Sequence, residues 1–200
     1  MNERLVNLAS LPDAIRWGAL FATIEDHAER YEILEKILDR AYEQLTDGRQ
    51  HFAGLSEDAI TQIIVGNLRD FGIIAHHDAQ IGGHIDILVE ASNGFRWIGE
   101  AKLDNGPAYI LGGYDQLTTR YAVARPGADR GEVLIYCFKS RADMRLNAWR
   151  DKLLSERQVT LETDTGVDHL AFRTSCICQA TGAKLYARHR IVTLYHNPRK

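Results

Sequence analysis

The alternation of apolar and polar positions is clearest from His84 to Lys102. From His84 to Glu90, Ile85, Ile87 and Val89 fall on one side and His84, Asp86 and Leu88 on the other, the period of a strand. Ser92-Asn93-Gly94 supplies turn residues. Phe95 to Lys102 then alternates again, with Ile98, Glu100 and Lys102 on one side. The pattern predicts a hairpin that offers Asp86 from its first strand and Glu100 and Lys102 from its second.

Upstream the period changes to that of a helix. Residues 1 to about 50 read as helical, with Tyr31, Leu34, Ile37, Leu38, Ala41 and Leu45 forming a stripe that ends at Asp47-Gly48. Such a stripe either packs on the core or docks a second copy or a regulatory partner. Gly54 to Phe71 is a second helix, with Ser56 as N-cap and Glu57 and Asp58 in a first turn where the dipole favours acids. Ile60, Ile63, Ile64, Leu68 and Phe71 are its apolar stripe, and Glu57 lies on that same stripe. Ile73 to Ile81 reads as a strand. Its His76 and His77 point to opposite faces and cannot act as a pair, while His84 shares the Asp86 side and is a candidate supporting residue. Gly82-Gly83 permits a close backbone approach.

Beyond the hairpin, Pro107 opens a helix with Ile110, Tyr114, Leu117 and Tyr121 on its apolar stripe and Gln116 beside Arg120 on an adjacent one. Gly112-Gly113 predicts a kink or a later start. Gly131 to Lys139 is almost wholly apolar, the pattern of a strand covered on both faces. Asp143 to Leu154 reads as a helix and Thr160 to Asp168 as a polar loop or edge. His169 to Cys178 and Leu185 to Tyr195 read as a terminal hairpin, given a positive cast by Lys184, Arg188, Arg190, Arg199 and Lys200. No repeat or low-complexity segment interrupts the chain. It divides into a helical extension, residues 1–50, and a domain, residues 51–200, whose core spans about 55–140.

Composition narrows the class. The chain has 200 residues, 45% hydrophobic and 26% charged, the balance of an ordinary globular protein. No membrane-length apolar run or signal-peptide core occurs, so a cytoplasmic protein is expected. Cys137, Cys176 and Cys178 are too few for a disulfide framework and read as buried thiols. The net charge of −3 speaks against nucleic-acid binding through bulk positive charge.

Charges within a hairpin that also carries Leu88 and Ile98 are costly unless they pair with one another or with a metal. A salt-bridge ladder of Asp86, Glu100 and Lys102 is one reading. The other comes from a resemblance. An acid on one strand followed by Glu100-Ala101-Lys102 on the next resembles the PD-(D/E)XK nuclease superfamily, although Ile85 stands where that family has its leading proline. The resemblance implies an α/β fold with a restriction-endonuclease-like αβββαβ core and a mixed central sheet flanked by helices, here with the N-terminal helices and the C-terminal hairpin added. It implies Mg2+, with Mn2+ able to substitute, held by Asp86, Glu100, the Ala101 carbonyl and Glu57. Asp86, Glu100, Lys102, Glu57 and Gln116 would be the catalytic set, and Gly83, Arg120 and Tyr121 would contact nucleic acid. Related exonucleases carry a tyrosine four residues after the glutamine, whereas here Arg120 takes that place and Tyr121 follows.

The resemblance implies a DNA endonuclease, in a setting such as restriction or phage defence. A non-catalytic binding or scaffolding module on the same fold and an RNA-cleaving effector are the alternatives.

Overall fold

The computed structural model describes residues 12–163 and 168–198. The helical expectation for residues 1–11, part of the loop expected before Asp168, and Arg199 and Lys200 lie outside the described residues. The elements in order are α1 (Asp13–Thr23), α2 (His27–Asp47), α3 (Glu57–Asp70), β1 (Ile74–Gln80), β2 (His84–Glu90), β3 (Arg96–Leu103), α4 (Pro107–Gln116), β4 (Arg130–Cys137), α5 (Ala142–Glu156), β5 (Thr160–Glu162), β6 (Ala171–Ile177) and β7 (Lys184–Thr193). This is an α/β protein with a mixed seven-stranded sheet ordered β1-β2-β3-β4-β7-β6-β5. The β3–β4 and β4–β7 pairs are parallel and the others antiparallel.

Each sheet face buries its own core. On one side Trp97, Ala101, Leu134 and Tyr136 pack with α1, α2 and α3; on the other Leu88, Ile98, Val133 and Ile135 pack with α4 and α5. Alternation along β3 and β4 therefore serves both cores, which is why β4 reads as a continuous apolar run. The α2 stripe of Tyr31, Leu34, Ile37, Leu38, Ala41 and Leu45 is fully buried, and most of it joins Ile60, Ile64 and Leu68 of α3 in one core. Of the two readings of that stripe, the structure has the core-packing one. Side-chain oxygens cap both helices: Asp26 accepts from the Glu29 N–H at 2.9 Å and Ser56 from the Ala59 N–H at 3.1 Å.

The hairpin forms as the alternation predicts. Leu88 pairs with Ile98 across β2 and β3, and Asn93 and Gly94 take left-handed backbone angles in the turn. Ile85 is the exception, since it packs with Leu88 and Ile98 where β2 parts from β3.

Three other expectations change. The terminal hairpin is no appendage, because β7 lies in parallel beside β4 and extends the central sheet. Helix α4 neither kinks at its glycines nor starts late, but runs unbroken from Pro107 to Gln116 and ends in a π-helical turn, Leu117–Tyr121. The positive cast of the C-terminal strands is neutralised, since Arg188 pairs with Glu132 and Asp39, Arg190 with Asp168, and Lys184 with Glu162.

Candidate active site

The β2–β3 ladder stops at the Ile87–Gly99 pair. Past it, two N–H groups of β3 have no strand to receive them, and carboxylates take both. Asp86 Oδ2 accepts from the Ala101 N–H at 2.8 Å, and Glu57 Oε2 accepts from the Leu103 N–H at 2.5 Å. Glu57 comes from the first turn of α3, so it reaches this gap around the end of the strand. The N–H and C=O of an extended residue leave the strand on the same side, which turns the Ala101 carbonyl toward the same gap.

Lys102 fills the middle. Its Nζ lies 2.6 Å from Glu100 Oε1, 3.6 Å from Glu57 Oε1 and 3.9 Å from Asp86 Oδ2. Three carboxylates thus surround one ammonium, leaving an excess of negative charge. Both signs of group respond in the same direction. Glu100 is pushed up to about 7, first by burial and then by the Asp86 charge, against the pull of Lys102. Asp86 is raised, mainly by burial, with the Ala101 N–H and Lys102 opposing. Burial alone would lower Lys102, but Glu100, Asp86 and Glu57 outweigh it and hold its ammonium firmly charged. Glu100 is 2% exposed, and its Oε2 has no hydrogen-bond partner.

Helix α4 closes over this cluster. A Cβ on Gly113 would stand 2.8 Å from Lys102 Cγ and 2.9 Å from its Cε, so only glycine lets the helix lie on the lysine stem. Gln116 is on that face one turn later. It is half-buried, and among the described residues its amide makes no hydrogen bond. Tyr109, one turn before Gly113 on the same face, puts its hydroxyl 3.4 Å from Glu57 Oε2 and its ring centroid 6.0 Å from Lys102 Nζ. Glu57 therefore lies beside Lys102, and Tyr109 and Gly113 are further neighbours of the cluster that the apolar pattern did not reveal. The signal was available: Tyr109, Gly113, Gln116 and Arg120 recur at helical spacing.

Several other residues sit differently from expectation. Gly82 and Gly83 do allow a close approach, but by the chain itself: Gly82 abuts the Arg120 carbonyl and Gly83 the Tyr121 ring. Tyr121 is 5% exposed and belongs to the core, whereas Arg120 is exposed. His84 turns away from Asp86 and pairs with the exposed Asp78 at 2.6 Å. His77 instead contacts the α3 residues Asp58, at 3.0 Å, and Gln62, at 3.1 Å.

The donor set suits a hard cation. It consists of carboxylates and a peptide carbonyl, with neither thiolate nor imidazole, and Glu100 Oε2 is an unpartnered buried acceptor. The carboxylates are gathered on the ammonium, however, and no group of three His, Cys, Asp or Glu side chains among the described residues is spaced to hold a metal as it stands. A cation would enter between Asp86 and Glu100 with Lys102 drawn aside. A cavity of about 570 Å³ lies elsewhere, between α2 and strands β4, β7 and β6. Its charged lining is largely paired, Arg173 with Glu35 and Arg188 with Asp39.

Comparison of the chain with protein-family models, with curated proteins and with solved structures gives no match. No helix among the described residues is long and apolar enough to cross a membrane. The functional reading therefore rests on the geometry around Lys102.

Proposed function

We propose that this chain is a metal-dependent nuclease that hydrolyses phosphodiester bonds, with DNA as the expected substrate. The observation that carries the reading is the convergence of Glu57, Asp86, Glu100 and Lys102 from α3, β2 and β3 at the end of the β2–β3 ladder. The succession α3-β1-β2-β3-α4-β4 supports the reading of a restriction-endonuclease-like core.

In this reading Asp86, Glu100 and the Ala101 carbonyl hold Mg2+ or Mn2+. A bound divalent ion supplies charge relief at the phosphoryl oxygens. The remaining work falls to the protein. Lys102 donates to a phosphate oxygen, where its charge opposes the negative charge that builds up. Glu57 has one oxygen anchored on the Leu103 N–H and the other facing Lys102, and this free oxygen orients the attacking water. Gln116, with its amide uncommitted, positions Lys102 or a phosphate oxygen. Arg120, which is exposed, is the remaining candidate for a phosphate contact.

The test is cleavage of plasmid, linear duplex, single-stranded DNA and RNA with Mg2+, Mn2+ or a chelator, alongside Asp86→Ala and Lys102→Ala. Cutting that needs the metal and disappears in both variants establishes the site. No cutting in any condition, with variants that fold and bind as the parent does, sinks it. The ammonium already seated among the carboxylates favours a second reading in that event, a nucleic-acid-binding module without catalysis.

A further inference from the structure

We infer that this site takes its phosphate from an unpaired strand, with Tyr109 as the stacking platform for the adjoining base. The inference rests on the nuclease reading of the Lys102 site and adds a class of substrate to it. Tyr109 is 44% exposed, although its hydroxyl is tied to Glu57 and its ring stands beside the Lys102 ammonium. The ring thus borders the point where a phosphate would be held, within the span of a single nucleotide.

The ring stands on helical backbone and its flank is open. Tyr109 lies in the first turn of α4, behind Pro107, whose ring presets the helical backbone. One turn along, a Cβ on Gly112 would meet nothing within 4 Å, so the helix leaves room beside the ring. A tyrosine ring, with two rotatable side-chain angles, offers contact area at small entropic cost.

Within a duplex the base faces are covered by their neighbours and only the edges are open to a protein. A base can lie face to face with Tyr109 only if it is single-stranded or has left the stack. The charge distribution points the same way. Duplex binders rely on many phosphate contacts from free cations, but the chain carries −3 overall, and Lys184, Arg188 and Arg190 are all committed to acids. Stacking supplies affinity that does not require a basic surface.

The test is fluorescence anisotropy of labelled oligo(dT), oligo(U) and a duplex of equal length, with Ca2+ and again with chelator. The wild type is compared with Tyr109→Ala and Tyr109→Phe. The single strands should bind more tightly than the duplex. Tyr109→Ala should weaken them by roughly 10-fold without changing the duplex, and Tyr109→Phe should stay within about twofold of wild type, as expected for stacking on an aromatic face. The dT and U arms then separate DNA from RNA. Equal or tighter duplex binding, no binding of any oligonucleotide, unchanged affinity in Tyr109→Ala, or an equal loss in Tyr109→Phe each overturns the inference. Strand preference that survives with no cleavage in any metal defeats the nuclease reading and leaves this one standing. Duplex cleavage indifferent to Tyr109→Ala does the reverse.

Discussion

Two buried charge clusters lie on opposite faces of the same sheet, around Lys102 and around Arg188. Arg188 is 5% exposed and meets Glu132, its register neighbour on β4, through Nε at 2.8 Å and Nη2 at 2.7 Å, while Nη1 reaches Asp39 of α2 at 2.9 Å. Nearby, Arg173 grips both oxygens of Glu35. Burial raises Glu35, yet Arg173, Arg188 and Arg130 outweigh it and leave its carboxyl below the usual range. The Arg173 fork matches Glu35 two bonds at a time, Arg188 holds Glu132 through one oxygen, and the charges of the cluster are close to balanced. Glu132, like Glu100, is raised by burial, to about 6, so the Lys102 cluster differs in its charge balance. One compact ammonium faces three carboxylates drawn from separate segments, two of them partly open to solvent. Burial and charge are common to both regions. What separates the two clusters is the unbalanced charge around Lys102.

That contrast is broken most severely at Arg188. Arg188→Met leaves Glu132, which is wholly buried, without a counter-charge, and should cost about 3–5 kcal/mol, measured by urea denaturation. Pairing it with Glu132→Gln should recover most of the loss. A single-variant cost below about 1 kcal/mol would remove the distinction between the clusters.

Glu100 should behave in the opposite sense. Its folded value, about 7, stands above the ordinary 4.5, so the folded state favours the protonated acid. Stability from this group is fully present below about pH 4.5 and declines as pH rises through 7. The difference corresponds to about 3 kcal/mol at high pH. Glu100→Gln should therefore be more stable than wild type near pH 8, by an amount approaching that figure, while losing metal-dependent cleavage. Denaturation curves at about pH 5 and pH 8 check the sign, since the two proteins should converge at the lower pH. A variant that is less stable at both would show that Glu100 is a partner Lys102 needs, not a strained ligand.

The hairpin, the α3 cap and the shared side of Asp86, Glu100 and Lys102 were legible because each depends on local period or on a short turn. Glu57 was legible as an acid on the apolar stripe, although its bond to the Leu103 N–H depends on where β2 leaves β3. Tyr109 was hidden because its face of α4 carries Gly113, Gln116 and Arg120, so no apolar stripe draws attention to it. Strand alternation says nothing of partners, and so the seating of β7 beside β4, far away in the chain, could not be read from Leu185 to Tyr195. The same blindness makes Arg188 and Arg190 look like a basic edge, when the acids that neutralise them arrive from β4, α2 and the segment before β6. Gly82-Gly83 signalled a close approach without saying that Arg120 and Tyr121 would make it.

The smallest effect tests the imbalance most directly. Glu100 is raised to about 7, so its protonated form is populated near neutral pH. On the proposed reading a divalent cation held by Asp86, Glu100 and the Ala101 carbonyl favours the Glu100 carboxylate, and binding expels that proton. Titration of Mg2+ or Mn2+ by calorimetry near pH 7, repeated in buffers of different ionisation enthalpy, should show net proton release on binding. The release should fall toward zero near pH 9, where Glu100 is already ionised, and in Glu100→Gln. Arg188 and Glu132 do not face the added ion, so wild type and a Glu132→Gln variant should give the same release. Release that tracks Glu132 would place the cation in the wrong cluster, whereas release that vanishes only with Glu100→Gln ties the open charge beside Lys102 to the metal.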